Sequence, residues 1–237
     1  MDLSSFTAFL FDLDGVLTPT ARVHRRAWAE MFDAVLADHG DPRPFSDADY
    51  LAHVDGRPRY DGVRDFLASR GITLPEGTPE DPADATTVCG LGNRKNELFL
   101  AVLARDGIEP YPGSLRLVRQ LVDRHVDRAV VSASRNARQV LDRAGLTSFF
   151  DVIVDGQVAQ EQGLAGKPAP DPYLAAASML SRAPGECVVV EDAVSGVRSG
   201  AAAGAGLVVG VDRGAGPEAL RAAGAQLVVA DLEELVS

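Results

Sequence analysis

Two aspartates stand two residues apart in the stretch "FLFDLDGVLTPT": Asp12 and Asp14, with Gly15 directly behind. The apolar run before them reads as a strand, and a strand that buries its side chains does not readily hold two carboxylates so close together. Such a pair is useful where one carboxylate attacks or binds while the other moves a proton. Three further stretches carry groups of complementary chemistry: "SAS" at Ser132, Ala133 and Ser134, "GKPAPD" with Lys167, and "ED" at Glu191 and Asp192. Taken singly, each has a plain structural reading: turn former, helix N-cap, solvated lysine, helix start. Their order and placement distinguish them from that background.

The elements that must position these residues follow from the pattern. Residues 6–13 read as a short buried strand closed by Gly15. Pro19 breaks the chain, and helical patterns without strands follow to about Glu109. They cover Thr20 to Ala37, with Val23, Ala27, Trp28, Met31 and Val35 at helical spacing, then Asp47 to Val54, Asp61 to Arg70 and Asn93 to Arg105. "GRPR" reads as a loop, and Pro75 to Asp84 as an exposed one. After Tyr111 the strands "RAVVSAS", "FDVIV", "ECVVVED", "GLVVGV" and "QLVVA" alternate with helices. Alternation of this kind predicts an α/β fold with a Rossmann-like parallel sheet over residues 1–18 and 107–237. An α-helical domain is inserted over residues 19–106. Ligands of such sheets bind at the carboxyl ends of the strands. On that rim fall Asp12 and Asp14, then Ser132 to Ser134, then Lys167, then Glu191 and Asp192. Four carboxylates there repel one another, and their burial is costly without a cation. Oxygen ligands with no imidazole among them point to magnesium over zinc.

Composition narrows the partners. With 237 residues, 46% hydrophobic and 24% charged, the chain is an ordinary globular protein. Its formal net charge of −11 argues against a nucleic-acid backbone or an anionic membrane as partner. Asp12 and Asp14 cut the first apolar run and no basic segment precedes it, so neither a signal peptide nor a membrane span is expected. The distant Cys89 and Cys187 suit reduced thiols, so a cytoplasmic protein is expected. Of 23 basic residues only Lys95 and Lys167 are lysines. A lysine kept in so arginine-rich a chain suggests a site needing a compact point charge.

The four stretches in this order resemble the haloacid dehalogenase superfamily of phosphotransferases, over nearly the whole chain, with the helical insertion as that superfamily's smaller type of cap. The resemblance implies Asp12 as nucleophile and Asp14 as general acid and base. It implies a magnesium ion on Asp12, the Asp14 backbone carbonyl and Asp192, with Glu191 beside it, and Ser132 and Lys167 holding the transferring phosphoryl group. "FDLDGVLTPTARVHRRAW", "VDGRPR", "NRKN", "SASRN" and "GKPAPD" are most similar to the β-phosphoglucomutase branch. That similarity implies substrate-binding roles for His24 near the hinge, Arg59 on a distal phosphate and Lys95 facing the sugar, with Ser134, Arg135 and Asn136 at the core edge of the distal site. Pro19 and Ala193 depart from the branch, which usually has aspartate and serine at these places.

Three functions fit this reading. One is a mutase converting β-glucose 1-phosphate to glucose 6-phosphate through the 1,6-bisphosphate. The second is a magnesium-dependent phosphatase of a sugar phosphate. The third is a non-catalytic binding protein that keeps the fold, against which stands the presence of every core motif residue. The expected partner is a small phosphorylated sugar, and a monomer is compatible with the sequence.

Overall fold

Four apolar residues in a row form strand β1 (Ala8–Phe11), buried on both faces as the middle of a parallel sheet requires. The computed structural model describes residue 3 and residues 5–236. Its chain divides into two compact units. One holds the segment ending at Pro19 together with Ile108 onward; the other is Thr20–Gly107.

The second unit is helical. Helix α1 (Thr20–Asp38) buries Trp28, Met31, Phe32, Val35 and Leu36 along one stripe. A short helix α2 (Asp47–Asp49), closed by a Ser46–Asp49 capping box, runs into a π-helical turn at Tyr50–Val54. Helix α3 (Arg59–Ser69) and helix α4 (Val88–Asp106) complete the unit. Phe32, Phe45 and Phe66 pack ring to ring in its core, with centroids 4.1–5.1 Å apart. Arg70, with only 8% of its side chain exposed, ties Asp41 (3.1 Å) to Asp49 (2.9 Å) across that core.

Two of these helices differ from the sequence reading. Helix α3 begins at Arg59, so this residue opens a helix instead of lying in a loop. Helix α4 begins five residues before Asn93, at Val88. Gly90 and Gly92 weigh against a helix by propensity, but both are demanded by packing. A Cβ on Gly90 would run into the Ala85 carbonyl, and one on Gly92 would stand 2.7 Å from the Tyr60 ring. Thr87 caps the helix by accepting the Gly90 N–H at 2.9 Å.

The first unit continues with α5 (Pro112–Asp123), β2 (Asp127–Val131), α6 (Ala137–Arg143), β3 (Val152–Val154), α7 (Gly156–Glu161), α8 (Asp171–Met179), β4 (Cys187–Glu191), α9 (Val194–Ala202), β5 (Leu207–Val211), α10 (Pro217–Ala223) and β6 (Leu227–Val229). Helix α7 is absent from the sequence reading; its signal is Asp155, whose carboxylate accepts the N–H groups of Gln157 and Val158. The six strands form one parallel sheet in the order β3-β2-β1-β4-β5-β6. Ala8 and Leu10 pack with Tyr173, Ala176, Val189, Val197 and Leu220 on one face. Phe9 and Phe11 alternate to the other, where Phe11 meets Phe150 edge-on at 6.0 Å. The order reverses between β1 and β4, which makes the carboxyl ends of these strands the expected ligand crevice. No helix among the described residues is long and apolar enough to cross a membrane.

Candidate active site

Register brings the core residues together. Phe11 pairs with Val130 of β2 and with Val190 of β4. One step further, Asp12 stands level with Val131 and Glu191, its N–H donating to the Val190 carbonyl at 2.9 Å. Lys167, from the loop before α8, places its ammonium across these three neighbouring strand ends. It donates to Asp12 Oδ1 at 2.6 Å, to the Val131 carbonyl at 2.9 Å and to Glu191 Oε1 at 2.6 Å. An ammonium has three donors, and all three are engaged by a side chain that is 1% exposed.

Glu191 is equally saturated. Its Oε1 also accepts the Tyr173 hydroxyl at 2.9 Å, and its Oε2 accepts the N–H groups of Asp192 and Ala193, each at 3.1 Å. Oxygen atoms of Asp12, Glu191 and Asp192 lie within 4.8 Å of one another. Three carboxylates thus face one ammonium, and the pocket carries an excess of negative charge. A hard divalent cation with oxygen preference would balance it. Burial raises the Asp12 carboxyl well above the usual range; Lys167 opposes this, while Glu191 and Asp14 add to it. Burial works against the Lys167 ammonium, but Asp12 and Glu191 outweigh it and drive the net shift upward, so the lysine stays charged. Burial and the Glu191 charge raise the Tyr173 phenol, which stays a neutral donor.

Two glycines fit around the acids. A Cβ on Gly15, whose φ of +91° already disfavours other residues, would fall on the Asp192 carboxylate; one on Gly196 would fall on Glu191. Asp14 is half-buried, in a turn that pairs it with Thr18. That turn is held from outside at three successive carbonyls. Arg213 Nε donates to Gly15 O at 3.1 Å, Ser114 Oγ to Val16 O at 2.6 Å and the Tyr111 N–H to Leu17 O at 2.9 Å. Arg213 also lies over the Tyr111 ring at 4.0 Å and donates to Asp231 at 3.1 Å.

After β2, Ser132 Oγ accepts the Ser134 N–H at 3.1 Å and Ser134 Oγ accepts the Asn136 N–H at 3.2 Å. These are turn bonds within the loop; α6 takes Asn136 as its N-cap without a side-chain bond, so "SAS" does not cap it, and accepting a bond leaves each hydroxyl its proton to donate. Ser132 is buried at the rim, Ser134 and Asn136 are half-buried, and Arg135 is exposed.

The helical unit gathers the remaining sequence candidates. Lys95 is 4% exposed. Its ammonium sits 4.9 Å from the Trp28 ring centre and 5.3 Å from that of Phe99, and it bonds to His24 Nδ1. His24 stacks on Phe99 at 4.0 Å. Arg59 donates to Asn96 Oδ1 at 2.8 Å and to Asn93 Oδ1 at 3.5 Å. Both lysines of the chain are buried, each in a built environment.

Sequence reasoning passed over Tyr173, Arg213, Ser114 and Tyr111. Its reading of strand ends stopped at the fourth core strand; Arg213, just beyond the next one, was within reach of the same logic.

Comparison with known proteins places this geometry among others. Residues 6–204 match the family of haloacid dehalogenase-like hydrolases. The chain is 48% identical over 238 residues to a Mycobacterium bovis protein named beta-phosphoglucomutase, covering 97% of this chain and 91% of that protein. It is 32% identical over 200 residues to hexitol phosphatase A of Escherichia coli, covering 83% of this chain and 79% of that one. The crystal structure of β-phosphoglucomutase from Clostridium difficile superposes with a TM-score of 0.78 at 26% identity, over 97% of this chain and 93% of that one.

Proposed function

The chain belongs to the haloacid dehalogenase-like hydrolase family, and from that premise we propose that it is a magnesium-dependent β-phosphoglucomutase. The observation that carries the chemistry is the Lys167 ammonium bridging Asp12 and Glu191, with Asp192 in the same cluster. The branch assignment draws on the 48% identity to the mycobacterial protein.

The donor set fits magnesium, with Asp12, Asp192 and the Asp14 carbonyl as holders. Glu191, whose two oxygens already accept four bonds, stands beside it. When bound, the ion would supply positive charge that screens the anionic phosphoryl group from the attacking carboxylate. A carboxylate oxygen of Asp12 attacks phosphorus, the bond from phosphorus to the sugar oxygen breaks, and Asp14 gives that oxygen its proton. The product is an aspartyl phosphate and a free hydroxyl. In the return step Asp14 removes the proton of a different sugar hydroxyl, whose oxygen attacks phosphorus and releases Asp12. Lys167 exchanges one of its three bonds for a phosphoryl oxygen, and Ser132 donates to another. By the resemblance to β-phosphoglucomutases, Arg59 takes the phosphate that is not reacting and Lys95 and His24 the sugar, while Ser134, Arg135 and Asn136 are the first unit's own candidates for substrate contact. On this reading the enzyme works on a small phosphorylated sugar in the cytoplasm.

Incubation with β-glucose 1-phosphate, magnesium and a trace of glucose 1,6-bisphosphate tests the proposal. Glucose 6-phosphate formed without inorganic phosphate is the expected result. Stoichiometric inorganic phosphate would replace the mutase by a sugar-phosphate phosphatase, the reading favoured by the likeness to hexitol phosphatase A. Neither product would overturn both.

A further inference from the structure

Arg59 opens α3, and its guanidinium reaches two asparagines of α4 one helical turn apart, Asn93 and Asn96. Asn93 does more than accept from it. Its Oδ1 also takes the Tyr60 hydroxyl at 2.9 Å. Its Nδ2 donates to the carbonyls of Pro79 at 3.1 Å and Asp81 at 2.8 Å. A primary amide offers two acceptor sites and two donors; those of Asn93 are all in use, two towards the start of α3 and two towards the segment between α3 and α4.

That segment is long for a connection without secondary structure of its own, and such loops are uncommon in compact domains unless they serve a function. It is also knit together. Asp81 accepts the hydroxyls of Thr78 at 3.1 Å and Thr87 at 2.6 Å, and Arg94 Nε donates to the Ala83 carbonyl at 2.8 Å. Val88 and Cys89 donate their N–H groups back to Pro75 and Glu76, each at 3.0 Å. Gly77 has φ +72°, and a Cβ there would strike the Asp81 carboxylate. On the far side, a Cβ at Gly92 would stand 3.1 Å from Arg59 Cδ, so helix and arginine are in direct contact.

We infer that Asn93 is a positioning residue for Arg59, tying the guanidinium and Tyr60 to the braced loop over residues 75–87. A long arginine side chain loses considerable rotamer freedom when it is fixed. Tethering it beforehand moves that cost from binding to folding, which tightens binding without a new contact. Asn93 therefore sets the preference for substrates that carry a second phosphate. The inference rests on the proposed role of Arg59 at that phosphate.

The test compares kcat/KM for glucose 1,6-bisphosphate with kcat/KM for acetyl phosphate, which has no distal phosphate. Asn93→Ala is expected to lower the ratio of the two about tenfold, through KM for the bisphosphate, the size of one lost hydrogen-bond tether. In an Arg59→Ala background the same substitution is expected to change the ratio less than twofold, because its route of action is gone. An equal loss in both backgrounds, or no loss when Arg59 is present, overturns the inference. An Arg59→Ala enzyme whose own ratio matches wild type fails at a different place: it removes the distal-phosphate role and the inference with it. The thermal midpoint checks that the variants fold. Should Asn93→Ala unfold, Tyr60→Phe carries the test, with an expected two- to threefold fall in the ratio that also vanishes without Arg59 and whose persistence there overturns the inference.

Discussion

Lys95 and Lys167 are the two lysines of the chain, both are buried, and they are held in opposite ways. Lys167 sits among charges: two carboxylates and a carbonyl use all three of its donors. Lys95 sits among rings, over Trp28 and Phe99, with its ammonium bonded to His24 Nδ1. The first environment is made by three adjacent strands in register and permits little adjustment. The second is made by helix faces and aromatic surfaces, which tolerate repacking better than a saturated ionic cluster does. On the proposed reading, the first environment suits bond making and the second suits a sugar that turns between steps.

The largest effect that would sharpen this contrast is expected at the nucleophile. Asp12→Asn should reduce kcat by about 10⁴-fold or more while circular dichroism stays native. Near-normal turnover would remove the charged pocket from the chemistry altogether. Next come the lysines. Lys167→Met leaves buried carboxylates without their ammonium and should cost about 3–5 kcal/mol of stability. Lys95→Met keeps volume among rings and should cost less than about 1.5 kcal/mol. Urea melts of both variants with similar midpoints would break the comparison. Arg213→Met releases the Gly15 carbonyl and should lower kcat about tenfold, the scale of one charged hydrogen bond, with KM within twofold. A rise in KM alone would mean that the turn after Asp14 is not what Arg213 holds.

The smallest effect concerns the ion pairs of the helical unit. Hydrogen bonds from Arg43 above all, with Arg70 adding to them, lower the Asp41 carboxyl. Burial raises that of Asp49, but bonds from Ser46 and Arg70 outweigh it, and the net shift is downward. Groups with lowered folded values contribute stability that is fully present above the unfolded value of about 3.9. It is lost as pH falls below that point and through the folded values. The thermal midpoint should therefore drop as pH falls below about 4, and Arg70→Met should flatten part of that drop. An unchanged slope would place the acid sensitivity elsewhere.

The sheet was legible because its strands are buried on both faces and appear as unbroken apolar runs such as "CVVVE". Asp12, Ser132, Glu191 and Asp192 were legible because each stands at the end of such a run; Lys167, in the loop before α8, was legible from "GKPAPD" and the scarcity of lysine. Helix α4 was legible only from Asn93 on, since Gly90 and Gly92 argue locally against the helix that their packing requires. Arg59 was assigned to the loop "GRPR", whereas the proline in that stretch stands at a helix entrance. Ser114, Tyr111 and Arg213 bond to backbone carbonyls far away in sequence. No periodicity marks the bonds of Ser114 and Tyr111, so no reading of spacing could find them, whereas Arg213 lies just past the end of β5, one strand beyond where the reading of strand ends stopped. Asn93 and Asn96 stood in the quoted "NRKN", but an amide's partners depend on which helix faces it.

Gly15 and Gly196 leave hollows that two acids fill, Asp192 in one and Glu191 in the other. Each glycine and its acid therefore form a single heritable unit, although more than 170 positions of chain separate one such pair and about five the other, as their numbering shows. A gene copy that acquires alanine at position 196 while keeping Glu191 would encode a misshapen pocket despite an intact set of acidic letters. Surveys that sort working copies from decayed ones by the acids alone would count it as sound; adding these two small residues to the criterion would catch it.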